Sequence, residues 1–334
     1  MKRKGIVFLG VAGIILLAAL SLFSCERSSV PEKAEKLRVG VVTQPASALV
    51  YIAEQQDMFR REGVSTSIQN CQTGPNAVED LLAGKVDVAT AAEFVLAMHG
   101  FKDKNLRAVG TISSSTDAVE IIARKDRGIR KPENLKGKRI GINKGTINEF
   151  FLNTFLSFNG ILLKEVQIVN LNPLEMVTAL SEGKIDAASS FPPYTGAMKK
   201  NLAQNAVSWP EQGGQAYYFL LITTEEVIRT RPRAITGLLK GVLEAEAFLA
   251  RSEKKAKSIV AGRLNLDHES LLDAWSKTHF RVRLDQDLLT LIEDEARWAI
   301  TNKYVDSTKV PNYFNFLYLE GLEKLRPDAV GVVH

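Results

Sequence analysis

Two stretches of this chain spell out the same order of elements about a hundred residues apart. In the first, residues 37–43 (LRVGVVT) read as a short apolar strand. A helical pattern follows with Leu49, Ile52, Ala53 and Phe59 on one face, stopping at Gly63. A strand over 64–68, a Gly74-Pro75 turn, a helix over 76–83 and a strand entered through GKVDVA at 84–89 come next, with a helix over 93–99. In the second stretch the matching pieces are a strand at 138–142 (KRIGI), a helix opened by Lys144-Gly145-Thr146 and closed by Gly160, and a strand over 166–169. A helix over 173–181 and GKIDAA at 183–188 complete it. The offset is 101 at Gly40/Gly141, 97 at Gly63/Gly160 and 99 at Asp87/Asp186. A period this long does not build a solenoid; it fits two related lobes with small loop insertions.

Strand and helix alternate within each lobe, so each is expected to be α/β, with a mainly parallel sheet covered by helices. In such sheets the loops leaving the strand C-termini meet at the ligand site, where helix N-termini present backbone amides. Two lobes face to face therefore predict a ligand cleft between them, closing by hinge motion. After Ala216 the pattern changes. Residues 217–223 (YYFLLIT) are strand-like, and the rest is mostly helical, with Thr224-Glu225-Glu226 and Pro232 as helix starts and Leu238, Leu239, Val242 and Leu243 on one apolar face. This part is expected to return to the first lobe. Asp87 and Asp186, shared by the repeats, are expected to stabilise a turn in each lobe and not to touch ligand.

The N-terminus sets the expected compartment. Lys2, Arg3 and Lys4 precede an apolar run from Ile6 to about Leu20, the order of a secretory signal. Leu22-Phe23-Ser24-Cys25 resembles a bacterial lipobox, which makes residues 1–24 a signal peptide and Cys25 a lipidated N-terminus; an uncleaved membrane anchor is the alternative. Polar residues 26–36 read as a tether. Without the three leading cations, 43 basic residues become 40, against 38 acidic, a net of +2. That is no charge for binding nucleic acid. The 45% hydrophobic content is that of a folded globule. Cys71, left alone once Cys25 is lipidated, reads as a buried structural thiol, and the four histidines show no metal-ligand spacing.

Several segments together resemble one family: YIAEQQDMFRREG at 51–63, Gly74-Pro75 before a helix, LLAGKVDVA at 81–89, ENLKGKRIGINKGT at 133–146, ALSEGKIDAA at 179–188, PPY at 192–194, and the stretch 232–261. They look like the nitrate/sulfonate/taurine type of ABC-transporter substrate-binding protein, a superfamily shared with binders of thiamine-pyrimidine precursors. The resemblance spans residues 37–325. It implies a type II periplasmic-binding-protein fold with two crossovers, with 37–117 plus 222–334 as the first lobe and 118–221 as the second. It also implies capture of a small polar or anionic solute, delivery to a permease driven by a separate ATPase, a monomer, and no cofactor. This chain has no Walker loop of its own and no run of spanning helices after residue 25.

Ligand candidates follow from position and chemistry. Gly145 allows close backbone approach, and Thr146 and Asn148 open a helix whose dipole favours an anionic group; Thr146 either binds or merely caps that helix. Gln44 and Ser47 occupy the same strand-to-helix position in the first lobe, and Gly74 opens its next helix. Thr90 and Glu93 follow the third strand of the first lobe, and Ser190, Phe191 and Tyr194 follow its counterpart. The two aromatics can stack on ligand or pack. Ser115 and Asp117 lie by the first crossover. Relatives often have Trp-Glu-Pro-Tyr where this chain has Phe191-Pro192-Pro193-Tyr194, so that acid is missing. No G-x-S-x-G, H-E-x-x-H, C-x-x-C or G-x-G-x-x-G is present, which points away from an enzyme, although the superfamily contains some. A sensor reporting to a membrane receptor is a further reading.

Overall fold

A computed structural model describes residues 34–333. The expected signal peptide and Cys25 lie outside the described residues.

The chain lays down β1 (Glu35–Val42), β2 (Val64–Cys71), β3 (Val88–Ala92) and β4 (Leu106–Ser115), then crosses over. It continues with β5 (Glu120–Arg124), β6 (Arg139–Ile142), β7 (Gln167–Asn170), β8 (Ala187–Ser190) and β9 (Ala206–Pro210), and returns as β10 (Tyr217–Thr224). The two five-stranded sheets have the orders β2-β1-β3-β10-β4 and β7-β6-β8-β5-β9. In the first, β1 runs parallel to β2 and β3, and β10 lies antiparallel between β3 and β4. In the second, β6 runs parallel to β7 and β8, and β5 lies antiparallel between β8 and β9. Each sheet thus takes its one reversed strand from the segment that has just crossed over. β3, β6 and β8 and the second half of β1 are buried almost throughout, as strands covered on both faces must be.

The expected boundary at 221/222 falls inside β10. That strand pairs wholly in the first sheet, so the first lobe begins again five residues earlier than the sequence suggested. An apolar run announces a buried strand but carries no address for the sheet that will receive it.

The repeat is a structural one. Gly40 pairs with Ala89 and Gly141 with Ala188, in the same register. In the first lobe, Asp87 accepts the Arg38 backbone N–H at 2.8 Å and its Nε at 3.2 Å. In the second, Asp186 accepts the same two groups of Arg139 at 2.9 and 3.1 Å. Both aspartates clamp the approach to the third strand onto the first strand, a tie between strands more than a turn brace. Arg231 adds a further bond to Asp87 at 2.7 Å. Burial works to raise the Asp87 pKa, but the hydrogen bonds from Arg231 and Arg38 outweigh it and hold the carboxyl well below the usual carboxylate range.

The C-terminal part wraps the first lobe. Helix Pro232–Arg251 buries Leu238, Leu239 and Val242 and packs on helix Ala48–Gln55. It approaches so closely that a Cβ at Gly241 would stand 2.4 Å from Phe59 Cδ1. The helix expected over 49–63 is broken into Ala48–Gln55 and Met58–Arg61 by Asp57, whose φ is +53°. Cys71 is free and buried at the end of β2. Among the described residues no helix is long and apolar enough to cross a membrane.

Candidate functional site

Strand ends of both sheets, the C-termini of the parallel strands among them, converge on one space of about 40 Å³. The first lobe contributes Val42 and Gln44 after β1, Thr73, Gly74 and Pro75 after β2, Ala92 and Val95 after β3, and Tyr217 and Phe219 of β10. The second lobe contributes Thr146, Ile147 and Asn148 after β6 and Phe191 after β8; Val119 comes from the first crossover. A single water needs about 10–15 Å³, so the space between the lobes is small. Its walls are mainly apolar, and none of the residues lining it is Lys, Arg or His.

Two helices start at this cavity, one from each lobe. In helix Gly74–Leu82 the Thr73 hydroxyl caps the Asn76 N–H at 3.4 Å. In helix Ile147–Phe158 Thr146 makes no side-chain cap; its hydroxyl donates to the Asn143 carbonyl at 2.6 Å. Simple capping by Thr146 is therefore not what the structure contains. Gly145 has φ +79°, and a Cβ placed there would lie 3.7 Å from Pro75 of the first lobe. Its N–H donates to Glu149 Oε2 at 2.7 Å. Behind Asn148 runs a buried chain: Asn148 Nδ2 donates to Ser189 Oγ at 3.1 Å, and the Ser189 hydroxyl donates to Glu211 Oε2 at 2.9 Å.

Of the residues singled out in the sequence, Gln44, Gly74, Thr146, Asn148 and Phe191 line the cavity, and Gly145 sits at its edge against Pro75. The others do not line it. Ser47 donates to the Val42 carbonyl at 2.8 Å, and Thr90 Oγ1 accepts the Val42 N–H at 2.9 Å; both lie behind the wall and hold β1 in place. Ser115 ends β4 just before the first crossover, and its Oγ accepts the Ala118 N–H at 3.0 Å. Asp117 is exposed on the crossover. Ser190 is buried with no partner for its hydroxyl, on the face of β8 opposite Ser189. Tyr194 packs edge-on against Phe191, with ring centroids 5.6 Å apart.

Glu93 is turned into the first lobe. Its Oε2 accepts the Tyr218 N–H at 2.8 Å, and its carboxyl faces that of Glu295 on helix Gln286–Thr301. As two carboxylates these groups leave Glu93 Oε1 and both Glu295 oxygens unpartnered; a shared proton joins Glu93 Oε1 to one of the Glu295 oxygens. Burial pushes both pKa values up, and the Glu93 charge adds to the rise at Glu295.

Sequence reasoning passed over Thr73, Pro75, Val119, Tyr217 and Phe219 as lining residues, and Glu211 behind them. The Thr-Gly-Pro order at 73–75 is a legible helix start. Nothing local marks Glu211, which gains its setting only when β9 meets β8 across β5.

The lobes also touch outside the cavity. The Tyr304 hydroxyl of the first lobe donates to Glu149 of the second, Trp298 meets Phe150 edge-on at 5.6 Å, and Lys277 pairs with Glu120. A larger space, about 980 Å³, runs past Trp275, His279 and Arg281, but it draws on the first lobe alone.

Two α/β lobes joined by two crossovers, with the strand ends meeting at a space between them, define the periplasmic-binding-protein fold. The alkanesulfonate-binding protein SsuA of Xanthomonas axonopodis pv. citri, solved with MOPS bound, superposes with a TM-score of 0.73 at 17% identity, over 89% of this chain and 98% of that one. The chain belongs to the NMT1/THI5-like family, whose pattern matches residues 44–256. A protein of Brucella abortus (strain 2308) described as a binding protein is 25% identical over 242 residues, 70% of this chain and 73% of that one. The taurine-binding periplasmic protein of Escherichia coli (strain K12) is 24% identical over 235 residues, 69% and 70% of the two chains.

Proposed function

We propose that this chain captures a small organic solute between its lobes and presents it to the permease of an ABC importer. The observation that carries the reading is the space between the lobes, bordered by Gln44 and Gly74 from one lobe and Thr146 and Asn148 from the other. The two lobes swing about the crossovers, residues 116–119 and 211–216, and ligand favours the closed state through its differential affinity for it. An anionic head such as a sulfonate sits at the helix N-termini, and an organic body covers Val42, Pro75, Val95 and Phe219. Nitrate leaves those apolar walls without a partner, so an organosulfonate suits the cavity better. The taurine-binding and alkanesulfonate-binding relatives support the same class. Phe191, Tyr217 and Phe219 favour a second ligand shape, a flat heterocycle such as a pyrimidine.

A thermal-shift screen with alkanesulfonates, amino-sulfonates, nitrate and pyrimidines tests this. A true ligand at a hundredfold excess over its Kd stabilises by about 2.7 kcal/mol. Recovery of the ligand unaltered after binding separates capture from catalysis. The mature chain is taken to be tethered outside the cytoplasm through lipid on Cys25. Cys25→Ala is expected to release it from the membrane fraction, and retention there would favour an uncleaved anchor.

A further inference from the structure

The open polar side chains around the space between the lobes belong to one lobe. Those of the second lobe are taken: the Thr146 hydroxyl donates to the Asn143 carbonyl at 2.6 Å, and the Asn148 amide is bonded to Ser189 at 3.1 Å. Glu149, in the first turn of helix Ile147–Phe158, accepts the Gly145 N–H at 2.7 Å, so an acidic group of the protein already stands at that helix start and weighs against a second one. The first lobe differs. Gln44 and Tyr217 line the space and are each 6% exposed. Among the described residues none bonds the Gln44 side-chain amide or the Tyr217 hydroxyl. Tyr217 shares the inward face of β10 with Phe219, while Tyr218 between them lines the one-lobe groove. Helix Gly74–Leu82 starts at the same space with no acidic residue in its first turn, and the Gly74 N–H has no acceptor among the described residues. A buried polar group is costly to leave without a partner.

We infer that the first lobe holds the oxyanion head of the solute at the start of helix Gly74–Leu82, with the Tyr217 hydroxyl and the Gln44 amide donating to its oxygens, and that Tyr217 sets the specificity for that head. The inference rests on the capture reading and narrows its ligand. No Lys, Arg or His lines the space, so the head meets only neutral donors and a helix dipole. That suits a monoanion whose charge is spread over three oxygens, as in a sulfonate. Tyr217 is fit to donate: burial pushes its pKa up, so the phenol keeps its proton at neutral pH.

Titration calorimetry on the mature chain with ethanesulfonate and with pyrimidine tests it, beside thermal melts of the ligand-free protein. Tyr217→Phe is expected to weaken ethanesulfonate about tenfold and to leave the melting temperature unchanged or slightly raised, because the hydroxyl bonds no protein group. A merely structural tyrosine would give the reverse, a lower melting temperature with affinity kept. Gln44→Glu, of nearly the same size, puts an acid beside the head and is expected to weaken ethanesulfonate more than tenfold; it carries the test if Tyr217→Phe does not fold. Tyr218→Phe, on the opposite face of β10, is expected to bind as wild type does. Wild-type affinity for ethanesulfonate in Tyr217→Phe or Gln44→Glu overturns the inference and leaves capture standing, as does an equal loss in Tyr218→Phe. Wild-type binding of pyrimidine but not of ethanesulfonate does the same. No binding of either probe overturns the capture reading and the inference with it.

Discussion

Gly145 joins backbone conformation to binding at a single position. Its φ of +79° lies where an L side chain is strained, at a cost of roughly 1–2 kcal/mol, and it faces Pro75 across the cleft. Gly145→Val is expected to weaken ligand binding more than tenfold while shifting the melting temperature by only a few degrees, because the loop lies outside both sheets. Calorimetry beside a thermal melt checks it; unchanged affinity removes the loop from the site. The contrast with Ser47, Thr90 and Ser115 shows where residue-level reading stops. Small hydroxyl residues at strand ends look alike in sequence, whether they face ligand or satisfy a main-chain group. Here all three satisfy main-chain groups. Gln44, Thr146 and Asn148 were legible because a strand-to-helix turn at the mouth of a parallel sheet has only one way to face.

Among the elements, those with a strong apolar stripe and a clear start were readable from sequence. Helices Glu93–His99 and Pro173–Ser181 fall at the expected bounds, and Thr224 caps its helix as expected by accepting the Val227 N–H at 3.2 Å. Helix Glu253–Leu264 gave no such signal, since it buries only Ala256 and Val260. β4 runs on through Ser113, Ser114 and Ser115, a stretch with no apolar side chain to mark it as strand, and Ser113 is buried and bonds to the Ala46 carbonyl at 2.9 Å. Helices Glu93–His99 and Gln286–Thr301 meet at the Glu93–Glu295 pair, which gives stability a pH dependence. Both folded-state pKa values are raised, so the native state holds more protons than the unfolded chain above the unfolded value of about 4.3. Stability from this pair is therefore present at acid pH and lost as pH rises toward the raised values. Urea melts at pH 5.5 and 8.5 are expected to find the protein less stable at the higher pH. Glu295→Gln should flatten the slope, with Glu211 supplying what remains. The same slope in wild type and Glu295→Gln would mean that both carboxyls are already ionised in the native state.

At the scale of the whole molecule, the duplication was the most legible feature, because the Gly and Asp landmarks keep their spacing in both lobes. The sheet that receives β10 was not legible, since strand order is a long-range property. The two lobes are clasped by Tyr304–Glu149, Trp298–Phe150 and Lys277–Glu120. Removing one such hydrogen bond costs the closed state about 1 kcal/mol. Tyr304→Phe is thus expected to weaken ligand several-fold, mainly through faster release, with the fold intact. Stopped-flow dissociation rates would measure it, and an unchanged off-rate would exclude the clasp from closure. The most direct measurement is a crystal structure with the compound selected by the thermal screen. Ligand density bounded by Gln44, Gly74, Thr146, Asn148 and Phe191 is the predicted result. Density in the one-lobe groove at Trp275 and His279, with the space between the lobes left to solvent, would contradict the account.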